Sequence, residues 1–395
     1  MNKASNLSSL SSPPVIAGRL QSIDALRGLV MLFMLLDHVR ETFYLHLQVP
    51  DPMVVADTPP GLFFPRMLAH LCAPVFVFLT GLGAYLYASR HAGAAQARTA
   101  SGFLWRRGLF LVLLEVTVVN FAWTFQFPPA KIFLQVIWVI GLSMLALSVL
   151  VWLPRKALLL LGLVLIAGHN LLDGLHFPAG HVMHVPWAIL HDRGWLELAG
   201  VQLRTSYPLL PWIGVIALGY GIGPWFGKAC DSAQRRRCLL MAGIASLLGF
   251  ALLRTLNVYG DAPWLTGTNA LQTLMSWFNV TKYPPSLLFL MLTLGIGLLL
   301  LCAFENAAGR NGLQMLATLG AAPMFFYVLH LYVLKFMYLA AVAFWGANQG
   351  QLFGLSSLLW LWVIAALLAV ALYPAASWFA ALKQRRRDIT WLKYL

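Results

Sequence analysis

The chain has 395 residues, of which 60% are hydrophobic and only 10% charged, with a formal net charge of +14. Soluble domains run at about 45–50% apolar and ~25% charged residues, so a soluble enzyme, a disordered chain and a coiled coil are all excluded. The positive charge does not call for nucleic acid, because basic loops are what the cytoplasmic face of a polytopic membrane protein carries. The four cysteines, Cys72, Cys230, Cys238 and Cys302, form no Cys-x-x-Cys pair, which disfavours both a disulfide framework and a zinc ribbon.

In chain order, residues 1–20 read as a polar, Ser-rich cytoplasmic tail without the apolar core of a signal peptide. Ten apolar stretches follow, at 22–44, 67–88, 103–125, 132–153, 157–173, 207–226, 238–257, 286–304, 322–345 and 355–382. Each approaches the ~20 residues that a helix needs to cross a bilayer. The fifth is short enough to be tilted or re-entrant, and 309–320 reads as a short amphipathic helix or part of an eleventh segment. The fold class expected is therefore all-α: a polytopic transmembrane helix bundle of about ten spans. Residues 21–383 make one transmembrane domain, and 384–395 a basic cytoplasmic tail.

Lysine and arginine distribution tests this count. With the N-terminus in the cytoplasm, 18 of the 27 Lys and Arg fall in inside loops and tails. Only Arg66, Lys131, Arg193, Arg204, Arg254 and Lys282 fall at the outside. Basic loops resist translocation, so the asymmetry supports an even number of spans with both termini inside, in a bacterial inner (plasma) membrane. The partners expected are the lipid bilayer and small molecules, with a homodimer left open.

The segment 169–206 is too long for a simple connector. Its Pro178, Pro186, Trp187 and Trp195 suggest a structured cap at the outer interface. His181 and His184 there are spaced as a metal pair but lack a third ligand, and no metal is expected. No internal repeat is evident, which disfavours transporters built from inverted repeats.

Ionisable residues inside spans are costly and mark function. The first span carries Asp24, Arg27, Asp37, His38, Arg40 and Glu41. Arg27 and His38 are separated by ~1100° of helical rotation, which returns them to within ~20° of one face, and by ~16 Å of rise. Asp24 and Glu41 fall on the same stripe, within reach of Arg27 and His38 respectively, whereas Asp37 and Arg40 point elsewhere. Asp24, Arg40 and Glu41 can also be read as ordinary helix ends; Arg27 and His38 together cannot. Further intramembrane groups are His70, Glu115, Asn120, His330 and Lys335. Glu115 can equally be a neutral structural carboxyl, His330 a satisfied core histidine and Lys335 a snorkelling side chain. Taken together these groups describe a polar chamber through the bundle.

Two functions suit such a chamber. One is a membrane enzyme in which His38 is a general base, with a reference pKa of ~6.5 near working pH, or a nucleophile that relays the acyl group covalently. Asp37 or Glu41 would orient the imidazole. Arg27, Arg106 and Arg107 would hold a phosphate-bearing donor such as an acyl-CoA. The other is a proton-coupled transporter that uses the same Asp, Glu, His and Arg groups as a relay.

The run Arg19-Leu20-Gln21-Ser22-Ile23-Asp24-Ala25-Leu26-Arg27-Gly28-Leu29 followed by Asp37-His38 resembles the first span of transmembrane acyltransferases. The spacing of Arg27 and His38 is similar to that of the acyltransferase-3 family. Leu79-Thr80-Gly81, Tyr207-Pro208-Leu209-Leu210-Pro211-Trp212, Thr281-Lys282-Tyr283-Pro284-Pro285-Ser286 and Phe326-Tyr327-Val328-Leu329-His330 resemble the bacterial branch of the heparan-α-glucosaminide N-acetyltransferase-like family. The resemblance implies transfer of an acetyl group from cytoplasmic acetyl-CoA, as co-substrate, to a sugar or glycan acceptor on the far side. The key histidine is expected on or just beyond the first span. His38 is favoured by its spacing from Arg27, and His46 competes by alignment with the heparan branch. Asp24, His70, Glu115, His330 and Lys335 complete the expected binding groups.

Overall fold

The computed structural model describes residues 20–227, 229–386 and 388–394; the expected N-terminal tail, apart from Leu20, lies outside them. Every predicted apolar stretch contains a helix. The first is α1 (Gln21–Phe43), and the second is α3 (Cys72–Ala88), preceded by α2 (Pro60–Ala69). The third is a rod of α4 (Gly93–Leu114), a π-helical turn at Glu115–Val119 and α5 (Asn120–Thr124). Then come α6 (Val136–Leu150), α7 (Arg155–Gly168), α9 (Leu210–Gly221) and α10 (Ser232–Leu256). The last three are α12 (Leu287–Asn306), α14 (Pro323–Trp345) and α15 (Leu359–Arg385). Short helices α8 (His184–Leu190), α11 (Ala270–Phe278) and α13 (Asn311–Leu319) lie between them. The last fits the amphipathic segment expected at 309–320.

Six helical stretches are long and apolar enough to cross a membrane: Pro60–Ala88, Arg155–Leu172, Ser232–Leu256, Leu287–Asn306, Pro323–Trp345 and Leu359–Arg385. Large apolar side chains such as Leu160, Leu248, Phe344 and Val370 are exposed on them, the pattern expected where hydrocarbon is the solvent.

Helix pairs approach through glycine on both sides. A Cβ on Gly108 of α4 would stand 2.7 Å from the carbonyl oxygen of Gly141 of α6, and one on Gly141 would stand 2.7 Å from that of Gly108. Gly162 of α7 and Gly214 of α9 are reciprocally apposed at 3.1 and 2.8 Å. Between lipid-facing helices the hydrophobic drive is weak and close backbone contact supplies the attraction, so these positions set the bundle's spacing. Gly28, next to Arg27, does the same for α13, whose Leu316 carbonyl fills the place of a side chain.

The all-α expectation needs one correction. β1 (Lys131–Leu134), β2 (Gly194–Leu198) and β3 (Val201–Thr205) form a sheet in the order β1-β3-β2. β1 is parallel and β2 antiparallel to β3. The β2–β3 hairpin turns on Ala199 and Gly200, both at positive φ (50° and 79°), as a two-residue hairpin loop requires. β2 and β3 lie in the cap expected over 169–206, and β1 joins them from outside that segment. Inside that cap His184 bonds the Phe177 carbonyl oxygen and His181 Nδ1 accepts from the Met183 N–H. Both histidines of the candidate metal pair are thus engaged in the loop's own structure.

Candidate active site

Two cavities lie on the polar face of α1. The first, of about 130 Å³, is lined by Arg27, Arg107 and Lys383 among Met34, Leu79, Val136 and Tyr327. Arg27 donates to Asp24 at 2.9 Å and to the Leu79 carbonyl oxygen at 3.2 Å, which holds its guanidinium at the wall. Arg107 has no carboxylate within 4 Å among the described residues, and its Nε is buried without a partner. The second cavity, of about 1090 Å³, opens at the other end of α1 and includes His38, Trp123, Tyr207 and Tyr283. Val136 lines both cavities. Tyr327 lines the first, and its ring centroid lies 6.0 Å from that of His38. His38 therefore stands where the two cavities approach each other.

The tautomer of His38 follows from its partner. His330 Nδ1 lies 2.8 Å from the Phe326 carbonyl oxygen, which only accepts, so that nitrogen carries the proton. His330 Nε2 is then an acceptor. It lies 2.7 Å from His38 Nδ1, which must donate to it. The lone pair of a neutral His38 is left on Nε2. That atom makes no hydrogen bond among the described residues, and Trp123 meets the ring edge-on at 5.3 Å.

Around the larger cavity the acids are already engaged. Asp37 accepts from Arg40 at 2.8 Å and from Arg66 at 2.7 Å. Glu41 lies 3.2 Å from Arg40 and 3.4 Å from Arg66. Asp51 accepts from the backbone N–H of Lys282 at 2.8 Å and lies 3.9 Å from Arg66. Burial pushes the Asp51 carboxyl above the usual carboxylate range, against the pull of Arg66.

Residues 19–260 match the family described as heparan-alpha-glucosaminide N-acetyltransferase, catalytic. The chain belongs to this family. No curated protein matches it. The heparan-alpha-glucosaminide N-acetyltransferase family is one of membrane acetyltransferases, so the chain is assigned that activity. The matched stretch holds Arg27, His38, Arg66 and Arg107 but ends before Lys282, His330 and Lys335, which the fold brings to the same site from outside it.

The site of this N-acetyltransferase relative gathers some of the predicted residues and leaves others apart. Arg27 and Arg107 share a cavity. Arg106 instead faces a separate surface cleft with Tyr87, Arg98 and Phe103. Asp37 and Glu41 do not bond His38; His330 does. Asp37 and Arg40, placed on another helical face by the rotation arithmetic, also reach the larger cavity, because α2 encloses that end of α1 and supplies Arg66. His46 packs against Gly354 outside both cavities. His70 is buried with both ring nitrogens unpartnered and meets Phe289 edge-on at 5.3 Å. Glu115 accepts from the Trp138 N–H at 3.2 Å and so caps the N-terminus of α6. Asn120 bonds Lys131 and Phe133 and anchors β1. Lys335 lines the larger cavity and donates to the Trp123 carbonyl oxygen at 3.1 Å. Sequence reasoning missed Arg66, Arg193, Arg204 and Lys282 as site residues. Their scarcity at the outer end was the available signal.

Proposed function

We propose that the chain crosses the membrane ten times with both termini in the cytoplasm. In this reading it transfers an acetyl group from cytoplasmic acetyl-CoA to an amine or hydroxyl of a sugar on the outer side. The observation that carries the reading is the position of His38, with its lone pair on Nε2, between a small cationic cavity and a large polar one. Arg27, Arg107 and Lys383 suit the phosphates of the donor, and the pantetheine arm would run along α1 toward His38. Four helical rods beyond the six apolar ones complete the count. Two of these, α1 and α4, carry the charges of the site itself, and two, α6 and α9, are short and apolar.

In the transfer, the acceptor's nucleophilic atom attacks the thioester carbonyl carbon while His38 Nε2 takes its proton. The tetrahedral intermediate then collapses, the carbon–sulfur bond breaks, and the proton returns from His38 to the departing CoA thiolate. His330 keeps the second imidazole proton on Nδ1 throughout. Asp37 holds Arg40 and Arg66 in place instead of touching the imidazole.

Calorimetric titration of acetyl-CoA into the purified protein tests this. Saturable binding that is weakened by about tenfold or more in Arg27→Ala and Arg107→Ala but kept in His38→Ala is expected. Absence of binding in a well-folded sample would sink the acetyl-CoA assignment and leave a proton relay as the better account of the same groups.

A further inference from the structure

The cations of the larger cavity outnumber its acids, and the surplus is not distributed at random. Arg40 and Arg66 are neutralised by Asp37, Glu41 and Asp51. Arg193, Arg204, Lys282 and Lys335 also line the cavity, and none has a carboxylate within 4 Å among the described residues. Lys282 is the most telling. Its residue is only 4% exposed, yet its ammonium makes no hydrogen bond or ion pair among the described residues. The rings of Tyr283 at 5.1 Å and Tyr207 at 5.9 Å flank it, and Asp51, already shared with Arg66, accepts from the Lys282 backbone N–H.

An ammonium that lines a cavity beside acids already shared with two arginines is placed to receive a further counter-charge from a ligand. The neighbouring cations lie over aromatic faces too. Arg193 sits 4.7 Å from the Tyr283 ring and Arg204 5.0 Å from the Trp195 ring. Cation–π contacts hold these guanidiniums in place while leaving their N–H donors for an oxyanion. These residues also come from the end of the bundle that is poor in Lys and Arg. Of the six basic residues there, four (Arg66, Arg193, Arg204 and Lys282) converge on this one cavity.

We infer that the acceptor carries an oxyanion, held by Lys282, Arg193 and Arg204 at the outer cavity. The inference rests on the acceptor reading above and deepens it. The anion belongs either to the sugar itself or to the phosphate of a lipid that carries it.

The test uses the full chain in phosphatidylcholine nanodiscs with two matched probes, glucosamine 6-phosphate and glucosamine. The phosphorylated probe is expected to bind at least about tenfold tighter, as loss or gain of a charge-assisted contact implies. That preference is expected to shrink to below about threefold in Lys282→Gln and in Arg204→Gln. Arg193→Gln, at an exposed rim position, gives a third variant with little bearing on folding. Adding polyprenyl phosphate to the nanodiscs separates the sources: competition with the probe assigns the anion to a lipid carrier, and its absence assigns it to the sugar.

Equal affinities, no saturable binding of the phosphorylated probe, or a preference that survives all three substitutions would overturn the inference. Acetyl-CoA binding is measured in the same samples. Charge preference without acetyl-CoA binding removes the donor assignment alone, and acetyl-CoA binding without charge preference removes only the anion site.

Discussion

Replacing His330 by Leu removes the acceptor of the His38 Nδ1–H and leaves the ring's packing volume largely filled. The hydrogen bond it breaks is 2.7 Å long and lies among buried rings, so leaving the donor unsatisfied costs about 1–3 kcal/mol. His38 escapes that cost by moving its proton to Nε2, the tautomer that cannot accept the acceptor's proton. At ~1.4 kcal/mol per tenfold, the base-competent fraction falls roughly ten- to a hundredfold. The expected result is a kcat lowered by about that factor with KM for acetyl-CoA changed less than about threefold. Gln at this position offers an acceptor oxygen to His38 Nδ1–H and should recover most of the loss. His38→Ala should cost about 10²–10⁴, and adding His330→Leu to it should cost nothing more, because the two residues act as one unit. The assay is radiolabelled acetyl transfer to glucosamine. Wild-type kcat in His330→Leu, or additive losses in the double variant, would refute the tautomer argument.

Arg107→Ala should weaken acetyl-CoA binding by about tenfold or more, read by calorimetry, without altering the preference for a phosphorylated acceptor probe. Asp37→Ala leaves Arg40 and Arg66 buried without their main counter-charge, so it should destabilise the fold by about 3–5 kcal/mol, measured as a lower thermal midpoint in detergent. In the outer cap, burial opposes ionisation of Asp173, but hydrogen bonds from His191 and Asn170 outweigh it and hold the carboxyl below its usual range. A depressed folded pKa stabilises above the unfolded value and is lost as pH falls through the folded one. Amide protection factors across 169–193, exchange rates normalised to those of the unfolded chain, should therefore hold down to about pH 4 and fall only below it.

Much of the bundle was legible because apolar length is a one-dimensional signal: every predicted stretch holds a helix. The separation of Arg27 from His38 was legible for the same reason, since a helix converts spacing directly into distance. β1 was hidden because Lys131–Leu134 runs without a break into the apolar start of α6, and periodicity cannot separate a short buried strand from a helix end. The partner of His38 was hidden because His330 is 292 residues away, and only packing of α14 against α1 brings it close. Asp37 and Arg40 were assigned to another face because rotation arithmetic treats a helix as having one polar side. Where α2 closes over α1, polar groups on two faces reach one network. Lys282 is not legible as a site residue, since a lone lysine beside a proline pair carries no spacing signal.

The junction between the two cavities yields the sharpest separation of binding from chemistry. Val136 opens α6 and lines both spaces, which places it on the shortest route between donor and acceptor. Neither the cations of the donor cavity nor Lys282 depend on this side chain. Val136→Trp should therefore leave both acetyl-CoA binding and anion preference within about threefold of wild type, while transfer falls by at least about a hundredfold through misplacement of the reacting atoms. Overpacking costs about 1–3 kcal/mol, so the thermal midpoint must be measured beside it. Val136→Ile, which adds one methylene, should retain most of the activity. If Val136→Trp transfers acetyl at the wild-type rate, the route between the cavities lies elsewhere, and His38 would have to meet its acyl donor from the outer side alone.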